Sequence, residues 1–330
     1  MTGTAPFTQA EQIARALART AYETDTVRLT REDIAGCSHL VATRQGLFAV
    51  EEGRPVRVAF GSFYGLTLRD GAIFAFEACD VAGMDTQLGR VVRLEREGEG
   101  DRIASATVLA KGLDNGCHQI DFIHDRLTLL DSQNQRVLRF GEGETAWEPL
   151  HPLPPMRERA WSKGYVHINS LLEIGEHILL LLHNGAAYTG KQSEVAVLDR
   201  DWQEIARWPL PGEGCHNLVV LEDGTLISCG SMAGEIIGLD GPIVRVSEMM
   251  TRGLAVDAET IVVGAARFSS RRERGATPGT VAFLDRDYRV RSVLALPGAP
   301  TEIRRLDGLD LGLSAYRHGF PAVLRGPSAA

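Results

Sequence analysis

The 330-residue chain contains no run of 18 or more apolar residues, so no stretch of it reads as a membrane-spanning helix. Its first twenty residues, MTGTAPFTQAEQIARALART, lack the charged, apolar and small-residue succession of a secretion signal, and a cytoplasmic protein is expected. Cysteine is sparse and odd in number. The five, at 37, 79, 117, 215 and 229, form no CxxC pair, which argues against both a disulfide framework and a zinc knuckle. Cys117 and Cys215 each stand directly before a His, which fits a small apolar residue beginning a buried strand. Basic runs are also missing, and a formal net charge of −8 leaves no electrostatic footprint for nucleic acid. What remains, 44% hydrophobic and 24% charged residues, is the composition of an ordinary folded protein.

The chain repeats itself. SEVAVLDRDWQEIARWPLPG (193–212) matches GTVAFLDRDYRVRSVLALPG (279–298) as strand, Asp-rich turn, strand and Pro-Gly exit. A second unit, two apolar strands around a Gly or Asp turn, recurs seven times, beginning near residues 39, 64, 118, 167, 216, 252 and 302. Together the two units make four short antiparallel strands, the blade of a β-propeller. The fold expected is therefore all-β, a single propeller domain over 1–330 with seven or six four-stranded blades at approximately 36–320. The helical spacing of TQAEQIARALARTAY (8–22) predicts a short N-terminal helix in an extension over 1–24. A strand near TVRLT (26–30) would complete the last unit. The basic, Gly-rich stretch 269–279 is a candidate binding loop or lid.

Aligning the units places His39, His118, His167 and His216 at one position, the start of the innermost strand, with the last three at intervals of 49 residues. Innermost strands surround the propeller axis, so this register predicts four imidazoles facing one point at a channel mouth. Imidazole is the commonest ligand of first-row transition metals, and ligands on separate strands need no close sequence spacing to converge. Tyr64, Arg252 and Glu302 fill the starts that lack His. The second strand of each unit returns to the same face, bringing Glu77, Asp131, His183 and Arg267 to the rim, where they and Glu302 could orient the imidazoles. His124, His151, His177 and His318 fall outside the pattern and read as structural or surface residues.

The stretch VHINSLLEIGEHILLLLHN (166–184), followed one blade later by GCHNLVVLEDGTLIS (214–228), resembles the bacterial arylsulfotransferase propellers. Those enzymes carry a His-x-Asn-Ser blade start and, on the next blade, a His that is transiently sulfated as sulfate passes between phenols. The resemblance covers about two blades. It implies that His216 is the nucleophile, that His167 and Asn169 hold the sulfuryl oxygens, and that His118 is a further His on the preceding blade. The family's Arg at the end of the following strand is His183 here. A ring of four histidines is also similar in architecture to carotenoid-cleaving propellers, in which four histidines hold ferrous iron.

Three functions are thus expected of such a chain. The first is an enzyme that binds a divalent transition metal through His39, His118, His167 and His216, with iron favoured over zinc, manganese or copper. It would run lyase or oxygenase chemistry on a small molecule, with Asn169, Tyr64, Asp121 and Arg252 positioning substrate or moving protons. The second is metal-free group transfer through His216. The third is a non-catalytic binding platform, although neither the WD nor the kelch signature of such propellers occurs. In the enzymatic readings the partner is a small molecule, with no nucleic acid or membrane involved.

Overall fold

The computed structural model describes residues 7–51, 53–80, 86–97, 102–141, 146–153, 165–185, 190–269, 273–318 and 323–328. Six sheets form a ring. Five are continuous in sequence and four-stranded, with inner strands Phe63–Arg69 (blade 1), Ile120–Ile123 (blade 2), Ile168–Ile174 (blade 3), His216–Val220 (blade 4) and Met250–Val256 (blade 5). The sixth sheet is assembled from both ends of the chain. Its inner strand is Pro300–Arg305, followed outward by His39–Thr43, Gly46–Glu51, Arg54–Phe60 and the short Arg28–Leu29.

That closure explains why seven starts give six blades. HLVATRQGLFAV (39–50) supplies the second and third strands of the closing blade, while residues 300–305 supply its first. The TVRLT strand does join this last blade, as a fifth strand at its outer edge, pairing Arg28 with Phe60. Joining the two termini in one sheet leaves no open edge inside the ring, which is how a propeller disposes of unpaired strand groups.

The repeat visible in the sequence is a repeat of geometry. In blade 3 Asp199 Oδ1 accepts from the amides of Asp201 and Gln203, and in blade 5 Asp285 Oδ1 accepts from those of Asp287 and Arg289. Trp202 and Tyr288 then both adopt φ of 62°. Between blades the sheets pack through aliphatic layers, such as Leu172, Leu179, Leu181 and Val195 of blade 3 against Leu218, Val220 and Leu226 of blade 4. Full burial of each such side chain stabilises the ring by about 1.5–3 kcal/mol.

The N-terminal helix α1 (Gln9–Glu23) begins in a capping box between Thr8 and Glu11 and lies outside the ring. Arg15 and Arg19 both reach Asp80, at 2.5 and 2.9 Å. The guanidinium of Arg90, fully buried, ties the end of the helix to blade 1 by donating to Ala21 O, Thr26 O and Glu77 Oε2. The five cysteines are free thiols, four of them buried, and burial pushes Cys79 and Cys215 up to about 12, which makes them packing residues rather than nucleophiles.

A short C-terminal segment closes one end of the channel. Leu311 N donates to Val256 O, Ser314 N donates to Asp121 Oδ2, and Glu173 N donates to Ser314 Oγ, seating helix α2 (Ser314–Arg317) beneath the ends of the inner strands. The other end, where the inner strands begin, remains the mouth.

Candidate active site at the channel mouth

Inner strands do not start cleanly. A register shift interrupts the pairing between Phe63 and Leu66, Ile168 and Ser170, His216 and Val219, and Thr251 and Leu254. These bulges hold Tyr64, Asn169, Asn217 and Arg252, and bulges re-aim side chains near active sites. Gly253 shows the requirement: at φ +86° it packs where a Cβ would lie 2.8 Å from Ile303 Cγ1. Asn217, at φ 63°, uses its amide group to join blades, accepting from Gly253 N at 2.8 Å and donating to Glu302 Oε1 at 2.6 Å.

Four imidazoles assemble across blades 2 to 4. The ring centroids lie 5.0 Å apart for His118 and His167, 4.5 Å for the stacked pair His167 and His183, and 4.9 Å for His183 and His216. Tyr64 adds its ring 5.9 Å from His118, and Tyr165 lies 5.4 Å from His167. The fourth member of the cluster is thus His183, not His39.

His39 is placed at the opposite end. Because its strand is the second of the closing blade and runs antiparallel to Pro300–Arg305, its first residue pairs with Arg305, at the end of the inner strand. There it is buried against Phe283, with Ser38 Oγ 2.7 Å from Nδ1 and with Arg305, Asp257 and Asp307 as its charged neighbours. Equivalence in sequence pattern did not make it equivalent in the ring.

Each clustered imidazole is anchored on one nitrogen. His118 donates from Nδ1 to Gly116 O at 2.7 Å, which fixes Nε2 as the lone-pair nitrogen. His216 Nδ1 meets Ser231 Oγ at 2.8 Å, and Ser231 Oγ in turn donates to Cys229 O. His216 is thus anchored through Nδ1, and its Nε2 makes no hydrogen bond. His183 is turned the other way, with Nε2 donating to Cys215 O at 2.5 Å and Nδ1 buried without a partner. His167 Nδ1 lies 2.8 Å from the Tyr165 hydroxyl.

Burial and nearby guanidinium groups disfavour the protonated forms of His118, His183 and His216. Desolvation first, and Arg252 second, hold His118 and His216 well below the ordinary imidazole range, and desolvation lowers His183 to about 4. Arg252 also lies over Tyr64, 6.0 Å from its ring, and Arg44 lies over the same ring at 4.7 Å. Arg44 lowers His118 as well. Neutral imidazoles beside guanidinium groups form a place for an anion.

The remaining predicted residues divide by use. Asn169 lies in the blade 3 bulge, with its Oδ1 accepting from Ser170 and its Nδ2 buried without a partner. Asp121 is not at the mouth: its oxygens accept from Thr67 Oγ1, Phe122 N and Ser314 N. Glu77 is held by Arg90, and Asp131 by Arg136 and Asn134, so neither orients an imidazole. Glu302 joins Asn217 and Arg304, and burial pushes it up to about 7. Arg267 is exposed. His124 and His318 both face Glu173, His151 is exposed and His177 half-buried, as structural or surface residues. The lid stretch lies partly outside the described residues, since 270–272 are not among them. Arg44, Tyr165 and Ser231 were not anticipated. Tyr165 carries the only simple signal, two residues before His167, as Gly116 stands two before His118.

Among the described residues, no three His, Cys, Asp or Glu side chains form a group that could hold an ion.

Compared with known proteins, the chain matches no family model and no curated relative by sequence. Solved structures do match. A chain of a nidogen/laminin complex superposes with a TM-score of 0.53 at 10% identity, covering 84% of this chain and 99% of that one. The periplasmic gluconolactonase of Pseudomonas aeruginosa gives 0.52 at 14% identity, over 82% and 98%. A protein of unknown function from Bacteroides caccae gives 0.50 at 11%, over 82% and 99%. The likeness is one of fold. It agrees with the propeller.

Proposed function

We propose that the chain is an enzyme that transfers an oxyanionic group, in the first instance sulfuryl, between hydroxyl compounds through His216. One observation carries the reading: two imidazoles, His118 and His216, are each anchored through Nδ1 with Nε2 bare, beside the Arg252 guanidinium. The resemblance to arylsulfotransferases left a cation missing where His183 replaces Arg. Arg252, from the blade beyond, supplies a cation to the same cluster.

In this mechanism the neutral Nε2 of His216 donates its lone pair to the sulfur of an aryl sulfate. The S–O bond to the phenol breaks, and its electron pair leaves on the phenolate oxygen. A second phenol, losing its proton to Nε2 of His118, then attacks sulfur, and the N–S pair returns to His216. Arg252, the Tyr64 hydroxyl and the Asn169 amide nitrogen stabilise the sulfuryl oxygens, where charge develops. A pKa well below neutral suits this role, because the nucleophile is unprotonated at every physiological pH.

The test uses 4-nitrophenyl sulfate as donor and phenol as acceptor, with 4-nitrophenyl phosphate in parallel. Release of nitrophenolate that survives a strong chelator, with a sulfo adduct on His216 in the trapped protein, supports the proposal. No release from either donor, or release that the chelator abolishes and a divalent metal restores, overturns it in favour of a metal-dependent reaction.

A further inference from the structure

A cleft of about 520 Å³ lies outside the ring, between α1, the closing blade and Gly275–Ala276. Arg15, Arg28, Arg44 and Arg57 line it, against two acidic residues, Glu11 and Asp80. Asp80 is already paired with both Arg15 and Arg19, and Glu11 closes the helix cap. Arg28 and Arg57 form no ion pair among the described residues; the charged neighbour of Arg28, Glu77, is bound to the buried Arg90. They instead flank Phe60, at 5.3 and 4.6 Å from its ring, and Arg57 Nε is buried without a hydrogen-bond partner. In a protein of net charge −8 this is a local excess of cation.

The cleft is apolar as well as basic. Leu17 and Phe60, 46% and 37% exposed, present bare hydrophobic surface within it, and Ala14 and Ala18 of α1 add a smooth wall. Such a lining suits a ligand with an apolar or aromatic body and one oxyanion, since guanidinium stacks on aromatic faces and grips oxyanions. Arg44 belongs both to this cleft and to the mouth, where it lies over Tyr64.

We infer that the cleft binds amphipathic organic anions, an aromatic or aliphatic body carrying a sulfo, phospho or carboxylate group, and holds them next to the mouth. Assigning that ligand as a substrate of the mouth rests on the function proposed above; anion binding by the cleft does not. Arg28 and Arg57 take the oxyanion, Phe60 and Leu17 the body.

The probe is 8-anilinonaphthalene-1-sulfonate, titrated by fluorescence and calorimetry, with N-phenyl-1-naphthylamine as its uncharged counterpart. Arg28→Gln and Arg57→Gln should each weaken sulfonate binding by about tenfold, the size of one charge-assisted contact. Leu17→Glu, on an exposed helical face, should weaken it at least as much by adding a like charge. The uncharged probe should respond to none of the arginine changes. Equal sulfonate affinity in wild type, Arg28→Gln, Arg57→Gln and Leu17→Glu overturns the inference. Arginine-dependent binding in a protein that fails to release nitrophenolate would uphold the cleft and remove only the transfer chemistry.

Discussion

The two ends of the channel are built from the same residue classes, and they differ in how those residues are grouped: at the sealed end carboxylates bind the amides and hydroxyls of neighbouring segments, and at the mouth imidazoles cluster beside a guanidinium. At the sealed end Asp121 accepts three hydrogen bonds, and Glu173 accepts from His124 N and faces His318. At the mouth His118 and His216 hold one nitrogen fixed and the other bare. A buried polar side chain that is saturated contributes to folding. Several that are anchored at one atom, open at the next and gathered around one point are arranged for a ligand. His39 shows that a bare nitrogen alone makes no site: anchored through Nδ1 to Ser38 and with Nε2 unpartnered, it has Arg305, Asp257 and Asp307 as charged neighbours and no second imidazole in ring contact among the described residues.

The largest expected effect separates the ends by activity. His216→Ala should lower nitrophenolate release by about 10²–10⁴-fold, the range for losing one acid, base or nucleophile, with little change in the unfolding temperature. Unfolding that moves with activity would place His216 with the structural residues.

Asp121→Ala should do the reverse. It leaves Thr67 Oγ1, Phe122 N and Ser314 N without their acceptor, at a cost of about 3–5 kcal/mol measured by denaturant titration. A loss under about 1 kcal/mol would mean that α2 does not seal the channel.

The pH dependence of stability tests both ends together. His39 and His183 are each lowered to about 4 from 6.5, so the unfolded chain binds more protons in that window and acidification from 6.5 to 4 destabilises the fold. Each shift corresponds to a loss of about 3 kcal/mol at most. Glu302, raised to about 7, acts in the opposite sense, since its protonated form is favoured by folding and its contribution is lost as pH rises through 7. Unfolding titrations of Glu302→Gln should therefore show a steeper loss on acidification than wild type, and His39→Gln and His183→Gln a shallower one. An unchanged slope in Glu302→Gln would show that this carboxyl is not held protonated.

The smallest effect is the sharpest on His39. Replacing it with Gln should leave nitrophenolate release within about twofold of wild type, as expected for a residue with no contact to the reacting groups. A large loss would bring His39 back into the chemistry.

Apolar strand runs, the LDRD turns and the 49-residue spacing of three histidines were legible in the chain because each blade must bury the same strands with the same turns. Those local requirements determined the propeller, the N-terminal helix and the convergence of His118, His167 and His216. Only the tertiary structure decided how the ring closes. A strand pattern does not record which neighbour it pairs with, so HLVAT (39–43) read as an inner strand until residues 300–305 occupied that place. That one exchange reversed the direction of His39 and brought Arg44, in the adjoining turn, to the mouth. The bulges that aim Asn169 and Arg252, and the stacking of His183 on His167, likewise depend on the packing of separate blades, which no local pattern encodes.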